Sequence, residues 1–309
     1  MKKKILITGS NGLLGQKLVL QLRHDDRFQL LATSQGENRM NDKKDYVYQS
    51  LDITNSENVH DLFSSFLPDV VINTAAMTNV DACEVKKEEC KKINVDAVAI
   101  MVDELTQLKK SHNGYNPQFI HLSTDFIFDG ENGPYAEDAI PNPLSYYAWS
   151  KNESEKIVMD SSIRWAIART IIVYGIADNM SRTNIVLWAK GALEKGEPLN
   201  IVDDQFRMPT LAEDLATGCI LIAAKNATGV YHLSGKDFMS IVELVERVAD
   251  FYGLDKSIIH PIKSNTLNQA AKRPPRTGFI LDKAIRELGY NPHAFEEGLA
   301  ILKSQMQSN

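Results

Sequence analysis

A strand that runs into a helix through three spaced glycines constrains this sequence most strongly. The apolar residues 5–7 end at Thr8, and Gly9, Gly12 and Gly15 follow at intervals of three. The first glycine permits a tight turn, the second lets a pyrophosphate approach the backbone, and the third lets the helix pack against the strand. Free N–H groups at the helix start favour phosphate. The alternative is a plain turn with incidental glycines. The predicted cofactor contacts here are Gly9, Asn11, Gly12, Leu13 and Gly15.

Short apolar runs alternate with amphipathic stretches through the first half of the chain. The runs typical of buried strands are Ile5–Thr8, Phe28–Thr33, Val70–Asn73, Phe119–Ser123 and Trp165–Val173. The helical patterns between them are Leu13–Arg23, Ser56–Phe66, Cys90–Leu108 and Tyr146–Met159. Such alternation indicates βαβ units, and therefore a parallel sheet that is covered by helices on both faces.

The pattern changes after Gly175. Helical stretches at Thr183–Glu194, Leu211–Ala224, Ile241–Tyr252 and Asp282–Leu288 are separated by short strands at Leu199–Val202 and Val230–Leu233. We predict an α/β protein with a Rossmann-type, doubly wound parallel sheet in residues 1–174, to which residues 209–235 return. Residues 175–309 are expected to form mainly a smaller α/β substrate lobe.

Composition excludes several classes of protein. With 309 residues, 43% hydrophobic and 24% charged, the chain is typical of a globular protein. The net charge of −6 argues against nucleic-acid binding, and the lack of a long apolar run argues against a membrane span. The three cysteines form no Cys-x-x-Cys pair, so we expect reduced thiols, no metal site and a cytoplasmic location. A homodimer remains open.

The tip of the second strand bears on cofactor choice. NAD sites normally carry an acid about 20 residues after the glycine turn, where it accepts the ribose hydroxyls. Here Ser34 ends the strand without an acid, and Arg39 follows. We therefore expect NADPH rather than NADH, with Ser34 and Arg39 at the 2′-phosphate, unless Arg39 lies on a solvated loop. Asp52 and Ile53 are expected at the adenine, although Asp52 could instead cap the helix near Ser56.

A tyrosine and a lysine four residues apart are the clearest sign of proton chemistry. Tyr147 and Lys151 lie within a helical pattern, and residues i and i+4 share one helix face. A nearby ammonium, or a cationic nicotinamide, is expected to lower the phenol pKa. Tyr147 could then give a proton to a carbonyl oxygen as hydride arrives on its carbon. The alternative is a chance spacing on a half-exposed helix.

The end of the fourth predicted strand, Ser123-Thr124-Asp125, lies where ligands bind in parallel sheets. A hydroxyl there can polarise a substrate carbonyl and hold Tyr147 in place. The alternative is an ordinary turn or capping role for these residues.

Together these features resemble the extended short-chain dehydrogenase/reductases, and more specifically the dTDP-4-dehydrorhamnose reductase family. The matching segments run nearly end to end, and the Ser-Thr-Asp and Val-Asp segments are the most specific. They are Gly9–Gly15, Leu51–Thr54, Asn73–Asp81, Ser123–Gly130, Tyr135–Asp138, Tyr147–Lys151, Arg169–Thr170, Val173–Gly175, Asp204–Gln205, Pro209–Thr210 and Gly229–Gly235.

The resemblance implies that Thr124, Tyr147 and Lys151 form a catalytic triad. It implies hydride transfer to C4 of a 4-keto-6-deoxy sugar that is carried on a nucleoside diphosphate. It also places Ala75 and Ala76 against the cofactor. The residues expected at the sugar are Thr78, Val80, Thr124, Asp125, Phe126 and Ile172.

The chain departs from the family at the expected sugar site. Met77 stands where the family usually has an aromatic residue, Phe126 where it has tyrosine, and Ile172 where it has tryptophan. These changes need not affect the chemistry, but they change which sugar fits, because a hydrogen-bonding pocket discriminates far better than an apolar one.

Two sets of basic residues are candidates for the substrate diphosphate. Arg207 stands where the reductases often have glycine, and it either binds a phosphate bidentately or braces the cleft wall. Lys272, Arg273 and Arg276 form a dense cluster whose alternative is a solvated loop. We predict Arg207 and Arg273 as the substrate anchors.

Three functions follow from the sequence. The first is reduction of a nucleotide-linked keto sugar. The second is a related short-chain enzyme, such as an epimerase or a reductase of another carbonyl. The third is an NADP-binding regulatory subunit resembling that of methionine adenosyltransferase, which the intact triad argues against.

Overall fold

Strands and helices alternate through the first half of the protein, as the sequence predicts. The computed structural model describes residues 2–308. The strands are, in chain order, β1 Lys3–Thr8, β2 Phe28–Ser34, β3 Val47–Ser50, β4 Val70–Asn73, β5 Gln118–Thr124, β6 Arg164–Thr170, β7 Val173–Tyr174, β8 Leu199–Val202, β9 Phe206–Arg207, β10 Thr210–Leu211, β11 Gly229–His232, β12 Met239–Ser240 and β13 Ile259–Ile262. The helices are α1 Leu13–Leu22, α2 Ser56–Phe66, α3 Val80–Val85, α4 Lys87–Lys91, α5 Ala97–Ser111, α6 Tyr146–Met159, α7 Ile185–Glu194, α8 Ala212–Lys225, α9 Ile241–Tyr252 and α10 Phe295–Ser308.

Seven strands form one sheet in the order β11-β6-β5-β4-β1-β2-β3, and every neighbouring pair is parallel. Alternate residues of a strand face opposite sides. Ile5 and Ile7 therefore pack under α1 and α8, whereas Leu6 packs under α2, α5 and α6. The doubly wound α/β class predicted from the sequence is confirmed. The strand at 229–232 belongs to this sheet although it lies beyond residue 175, because it pairs with β6.

The smaller part of the molecule is built around its own apolar cluster. Helices α7 and α9 pack against β8, which pairs in parallel with β13, and α10 packs on α9. Two further strand pairs, β7 with β10 and β9 with β12, connect this part to the end of the large sheet. The division of the chain into a cofactor lobe and a substrate lobe stays a prediction.

The predicted helix 90–108 differs most from the structure. It is divided into α4, a π-helical turn at Lys92–Asp96, and α5. Within that turn the side chain of Asn94 accepts from the Met77 N–H at 2.8 Å and donates to the Met77 carbonyl at 3.0 Å. A single π turn of this kind is frequent at functional sites. Periodicity could not show it, because its cause is a contact between segments that are distant in sequence.

The sequence analysis also missed the helices α3 and α10 and the strands β9, β10, β12 and β13. Apart from α10, these elements are short, and their burial depends on neighbours that are distant in the chain. None of the helices within residues 2–308 is long and apolar enough to span a bilayer.

Candidate active site

The glycine turn brings the start of α1 against the loop that follows β4. Gly9 has a φ of +73°, and a Cβ there would lie 2.7 Å from the Ala75 backbone nitrogen. Gly12 precedes α1 and provides no side-chain cap, and a Cβ there would meet only the Gly9 carbonyl oxygen, at 3.3 Å. The first N–H groups of α1 therefore point at open space, which is the geometry that binds phosphate.

A cavity of about 560 Å³ opens beside this turn. Asn11 shapes its edge, because its side chain accepts from the Arg39 N–H at 2.9 Å and donates to the Glu37 carbonyl at 2.8 Å. The Arg39 side chain is exposed and lines the cavity. The structure thus brings nine of the predicted cofactor residues together: Gly9, Asn11, Gly12, Ser34, Arg39, Asp52, Ile53, Ala75 and Ala76.

The two interpretations of Asp52 can be separated. Asp52 accepts from the backbone and the hydroxyl of Thr54, at 2.9 and 2.8 Å, and lines the smaller cavity. Asn55 caps α2 by accepting from the N–H groups of Glu57 and Asn58. The capping alternative for Asp52 is therefore wrong, since the residue next to the helix does that work.

A second cavity, of about 600 Å³, adjoins the first across the glycine turn. Both are lined by Asn11, Gly12, Thr74, Ala76 and Ser181, so they form one continuous cleft. The predicted residues that line the second cavity are Asn11, Gly12, Leu13, Gly15, Ala76, Thr78, Val80, Thr124, Asp125, Phe126, Tyr147, Lys151 and Ile172. The three candidate catalytic side chains therefore share one wall of this cleft, at the carboxyl end of β5.

Ser123 also lines the second cavity, and its hydroxyl is buried without a hydrogen-bond partner in the residues described. Buried polar atoms are nearly always paired in folded proteins. An unpaired hydroxyl at the floor of the cleft is the arrangement expected where a ligand completes the pairing.

Helix α6 positions Tyr147 and Lys151. Ser145 caps the helix by accepting from the Ala148 N–H, and the Tyr147 ring packs edge-on against Phe126 with centroids 6.2 Å apart. Burial raises the pKa of Tyr147, and the Thr124 hydroxyl beside it lowers the pKa to a smaller extent. Burial also lowers the pKa of Lys151 to about 8, against the carboxylate of Glu155 and the Cys90 thiol, which raise it.

The pKa of Tyr147 corrects a sequence-based expectation. We expected the lysine to lower the tyrosine pKa, but desolvation by the surrounding protein is the larger effect and raises it. The phenol is consequently protonated at neutral pH. That is the form required to donate a proton to a carbonyl oxygen as it is reduced.

Asp125 lies behind Thr124 and is almost fully buried. It accepts hydrogen bonds from the hydroxyls of Thr124, at 3.1 Å, and Thr277, and its carboxylate lies 3.6 Å from the Arg207 guanidinium. Burial raises the pKa of Asp125, and Arg207 opposes that shift. Asp125 is thus part of the wall that fixes Thr124, although it also lines the cleft.

Arg207 does not face the open cleft, so its predicted role as a phosphate ligand is not the one the structure favours. It is 2% exposed and donates to the carbonyls of Phe206, Pro274 and Pro275 at 2.7–3.2 Å. These bonds, with the Asp125 ion pair, occupy the guanidinium. Arg207 therefore braces the cleft wall, which was the alternative interpretation.

Arg273 is likewise engaged within the protein. Its guanidinium makes two bonds to the Asp81 carboxylate, at 2.7 and 3.2 Å, and this pair ties the segment around residue 273 to the start of α3. The predicted contact of Arg273 with a substrate phosphate would require that pair to open.

Three residues of the site were missed by sequence reasoning. Asn94 fixes Met77, which consequently does not line either cavity. His121 lies on β5 behind Lys151, with the two side-chain nitrogens 3.1 Å apart. Arg182 is exposed, lines the second cavity, and makes no hydrogen bond or ion pair with the residues of 2–308. The available signal for His121 was a histidine inside an otherwise apolar strand.

Comparison with known proteins places the chain. The model of a family described as the RmlD substrate-binding domain matches residues 2–308. The chain belongs to the RmlD substrate-binding domain family. This confirms the resemblance drawn from the sequence, and it places the protein in an oxidoreductase family of the extended short-chain type.

The chain is similar over most of its length to proteins of more than one description. It is 29% identical over 313 residues to a dTDP-4-dehydrorhamnose reductase from Aggregatibacter actinomycetemcomitans, covering 97% of this chain and 98% of that protein. It is 28% identical over 277 residues to methionine adenosyltransferase 2 subunit beta from Bos taurus, covering 88% of this chain and 78% of that protein.

Among solved structures, a dTDP-4-dehydrorhamnose reductase from Clostridium acetobutylicum superimposes with a TM-score of 0.84 at 26% identity. That superposition covers 98% of this chain and 99% of the other. The RmlD family member therefore shares the fold of these proteins over nearly its whole length.

The buried position of Arg207 predicts a structural effect of its removal. Arg207→Met removes the ion-pair partner of the buried Asp125 carboxylate and the guanidinium hydrogen bonds to three carbonyls. We expect the free energy of unfolding to fall by about 3–5 kcal/mol, the usual cost of breaking a buried ion pair from one side. Urea unfolding measures it.

Arg276→Met is the matched control, since Arg276 is exposed and lies over the Phe206 ring. Arg276→Met should lower the free energy of unfolding by less than about 1 kcal/mol. If Arg207→Met instead kept the wild-type free energy of unfolding and raised the KM for substrate, Arg207 would be a substrate ligand and not a structural residue.

Proposed function

We propose that this protein reduces the C4 keto group of a nucleotide-linked 4-keto-6-deoxy sugar with NADPH. The observation that carries the proposal is the arrangement at the carboxyl end of β5, where Thr124, Tyr147 and Lys151 line one cleft that continues over the glycine turn. The named reductase relative, matched over nearly its full length, supports the same activity.

The residues present fit a dinucleotide. The uncapped start of α1 would hold the pyrophosphate, and the smaller cavity would hold the adenosine between Asp52, Ile53 and Arg39. Ala75 and Ala76 would lie along it, and Ser123 offers an unpaired hydroxyl toward the reacting end. When bound, the nicotinamide would supply the hydride.

The chain's own residues would carry the proton chemistry. Tyr147, protonated at neutral pH, would donate its proton to the substrate's C4 oxygen. Thr124 would donate a hydrogen bond to the same oxygen by turning its hydroxyl proton away from Asp125, while the Phe126 N–H donates to the hydroxyl oxygen and holds it in place. Lys151 would hold the ribose and its positive charge would stabilise the tyrosinate left behind.

The sugar would lie between the loop after β4 and the residues that follow β6. Thr78 and Val80 would contact it from one side, and Phe126 and Ile172 from the other. Ile172 has a φ of +33°, which a β-branched side chain rarely adopts, so the backbone there is held in a strained conformation beside the expected sugar. The apolar character of Phe126 and Ile172 favours a deoxy sugar face over a hydroxylated one.

A panel assay tests the reaction. The protein should oxidise NADPH only when a dTDP-, GDP- or UDP-linked 4-keto-6-deoxy sugar is present, which spectrophotometry at the NADPH absorbance follows. Tyr147→Phe should lower kcat by about 10²–10⁴, the usual contribution of a positioned acid, with NADPH binding retained.

Tyr146→Phe is the matched control for this variant. Tyr146 precedes Tyr147 on α6, and its ring packs on Trp149 with centroids 4.8 Å apart. It should keep the wild-type rate. No turnover with any sugar of the panel would count against the proposal, and would favour the regulatory interpretation suggested by the methionine adenosyltransferase subunit.

The smaller cavity supports a preference for NADPH. Arg39 is exposed within it and Ser34 lies at the strand tip without an acid beside it. Arg39→Ala should lower the ratio of kcat/KM with NADPH to that with NADH about tenfold, the equivalent of about 1.4 kcal/mol. Lys43→Ala removes a charge from the same exposed loop outside the cavity and should leave the ratio unchanged. A ratio unaffected by Arg39→Ala would remove this residue from cofactor selection.

The substrate diphosphate needs a cation, and Arg182 is placed to supply it. Arg207 and Arg273 are engaged in contacts within the protein, whereas Arg182 is exposed on the rim of the second cavity. Arg182→Ala should raise the KM for the nucleotide sugar about tenfold and change kcat less.

The KM of Arg182→Lys should lie between those of the wild type and Arg182→Ala, because lysine keeps the charge but cannot bind a phosphate bidentately. Lys195→Ala, at an exposed position just after α7, is the control and should not change the KM. An increase in KM for NADPH alone would assign Arg182 to the cofactor.

A further inference from the structure

Behind the catalytic lysine, a line of buried polar side chains crosses three adjacent strands. Thr8, Asn73 and His121 are register partners on β1, β4 and β5. The Thr8 hydroxyl lies 2.6 Å from the Asn73 side-chain oxygen, and the Asn73 side-chain nitrogen lies 3.1 Å from His121 Nδ1. Each is at most 1% exposed. We call these three residues the polar ladder.

The polar ladder ends at the catalytic helix. His121 Nε2 lies 3.1 Å from Lys151 Nζ and 2.9 Å from Ser154 Oγ, both on α6. Within residues 2–308, Lys151 Nζ has no other hydrogen-bond partner. A buried ammonium requires an acceptor, because an unpaired buried charge is very costly. The imidazole nitrogen is therefore the protein group that retains this ammonium.

We propose that His121 is a positioning residue that holds the Lys151 side chain in its catalytic place and, through its tautomer, responds to the charge of that lysine. The positioning role rests on the proposed reductase function, whereas the link between the two side chains does not. His121 would act through Lys151 and would touch neither cofactor nor sugar.

The charge of His121 follows from its burial. Desolvation, with the nearby Lys151, lowers the pKa of His121 well below its usual value, so the imidazole is neutral at neutral pH. A neutral imidazole has one N–H donor and one acceptor nitrogen. An ammonium only donates, so a charged Lys151 requires Nε2 as acceptor and places the proton on Nδ1. The Asn73 amide must then turn over, so that its oxygen, and not the nitrogen that lies 3.1 Å away in this structure, faces Nδ1.

The opposite tautomer suits a neutral lysine. Nε2–H would then donate to the amine or to Ser154, and Nδ1 would accept from the Asn73 amide group. The two tautomers correspond to the two orientations of that amide. Since the pKa of Lys151 is about 8, both charge states occur near neutral pH.

The other titratable groups near Lys151 all favour its charged form. Glu155, on the next turn of α6, and Cys90, on α4, both raise the Lys151 pKa. Glu155 is itself paired with Arg169 on β6, with both side chains almost fully buried. Because every member of the polar ladder is buried, it offers no path to water. Its role is therefore to place the lysine and not to carry protons out of the protein.

The first test is the pH dependence of kcat/KM with the sugar and NADPH. Wild-type activity should fall as the pH rises through the Lys151 pKa, since the charged lysine is the active form. His121→Leu removes the acceptor, disfavours the ammonium and should move this limb at least one unit to lower pH. The rate at pH 8 should consequently fall at least about fivefold, since the charged fraction of Lys151 falls from about one half to about one tenth. His121→Gln presents an oxygen near the position of Nε2 and should restore most of the profile.

His232→Leu is the matched control. His232 lies on β11 of the same sheet, is fully buried, and neither ring nitrogen has a hydrogen-bond partner within the described residues. It removes a buried imidazole without touching α6, so any loss of stability should leave the pH limb in place. Equal profiles for His121→Leu and His232→Leu would refute the positioning role.

The second test needs no turnover. In protein labelled with ¹⁵N-histidine, the His121 ring signals are those that disappear in His121→Gln. They should report a neutral ring from pH 6 to 9, move between the two tautomer limits with the Lys151 pKa, and lose this response in Lys151→Met. If the pH response of the His121 signals were the same in Lys151→Met as in the wild type, the link between the His121 tautomer and the Lys151 charge would be wrong. Coupled signals in a protein that turns over no sugar would count against the proposed reductase function and leave the link standing.

Discussion

The close approach of two loops at the carboxyl edge of the sheet is the constraint on which the cleft depends. A Cβ at Gly9 would lie 2.7 Å from the Ala75 backbone nitrogen, and this neighbour cannot move without separating β1 from β4. Thr74 closes the same gap by donating to the Thr8 carbonyl at 2.7 Å. Because the loops meet here, the start of α1 and the residues at 75 and 76 form one surface. The cavity expected to hold the dinucleotide and the cavity with the proposed catalytic side chains consequently share a wall.

Burial decides the protonation states along that wall. The same low-polarity surroundings raise the pKa of Tyr147 and lower that of Lys151, so both groups move toward their neutral forms. A neutral phenol suits proton donation, but a neutral lysine would not stabilise the tyrosinate. The polar ladder favours the charged lysine, because its member His121 places an acceptor nitrogen 3.1 Å from the ammonium without adding a charge to the interior. A carboxylate in place of His121 would hold the lysine more strongly and would also raise the Tyr147 pKa further.

The arginines of this chain divide into those that build the cleft and those that face it. Arg207 holds the carbonyls of Pro274 and Pro275, and Arg273 holds Asp81. Both join segments from distant parts of the chain around the second cavity. The cleft therefore has a rigid wall of internal pairs. Its exposed cations are Arg39 and Lys92 in the first cavity and Arg182 in the second. The 2′-phosphate of the proposed cofactor and the diphosphate of the proposed substrate would match that distribution.

Local patterns in the sequence determined the alternating strands and helices, the glycine turn and the Tyr147–Lys151 spacing on one helix face. These features depend on residues that are close together in the chain, so the sequence alone is enough to predict them. The direction of each long side chain was decided only by the tertiary structure. Arg207 turns inward to bind the carbonyls of Pro274 and Pro275, which lie 67 and 68 residues further along the chain. Arg273 turns toward Asp81, which lies 192 residues earlier. Local sequence patterns cannot show contacts over such separations. His121 reaches Lys151 because β5 and α6 pack together, and no spacing between positions 121 and 151 encodes that contact.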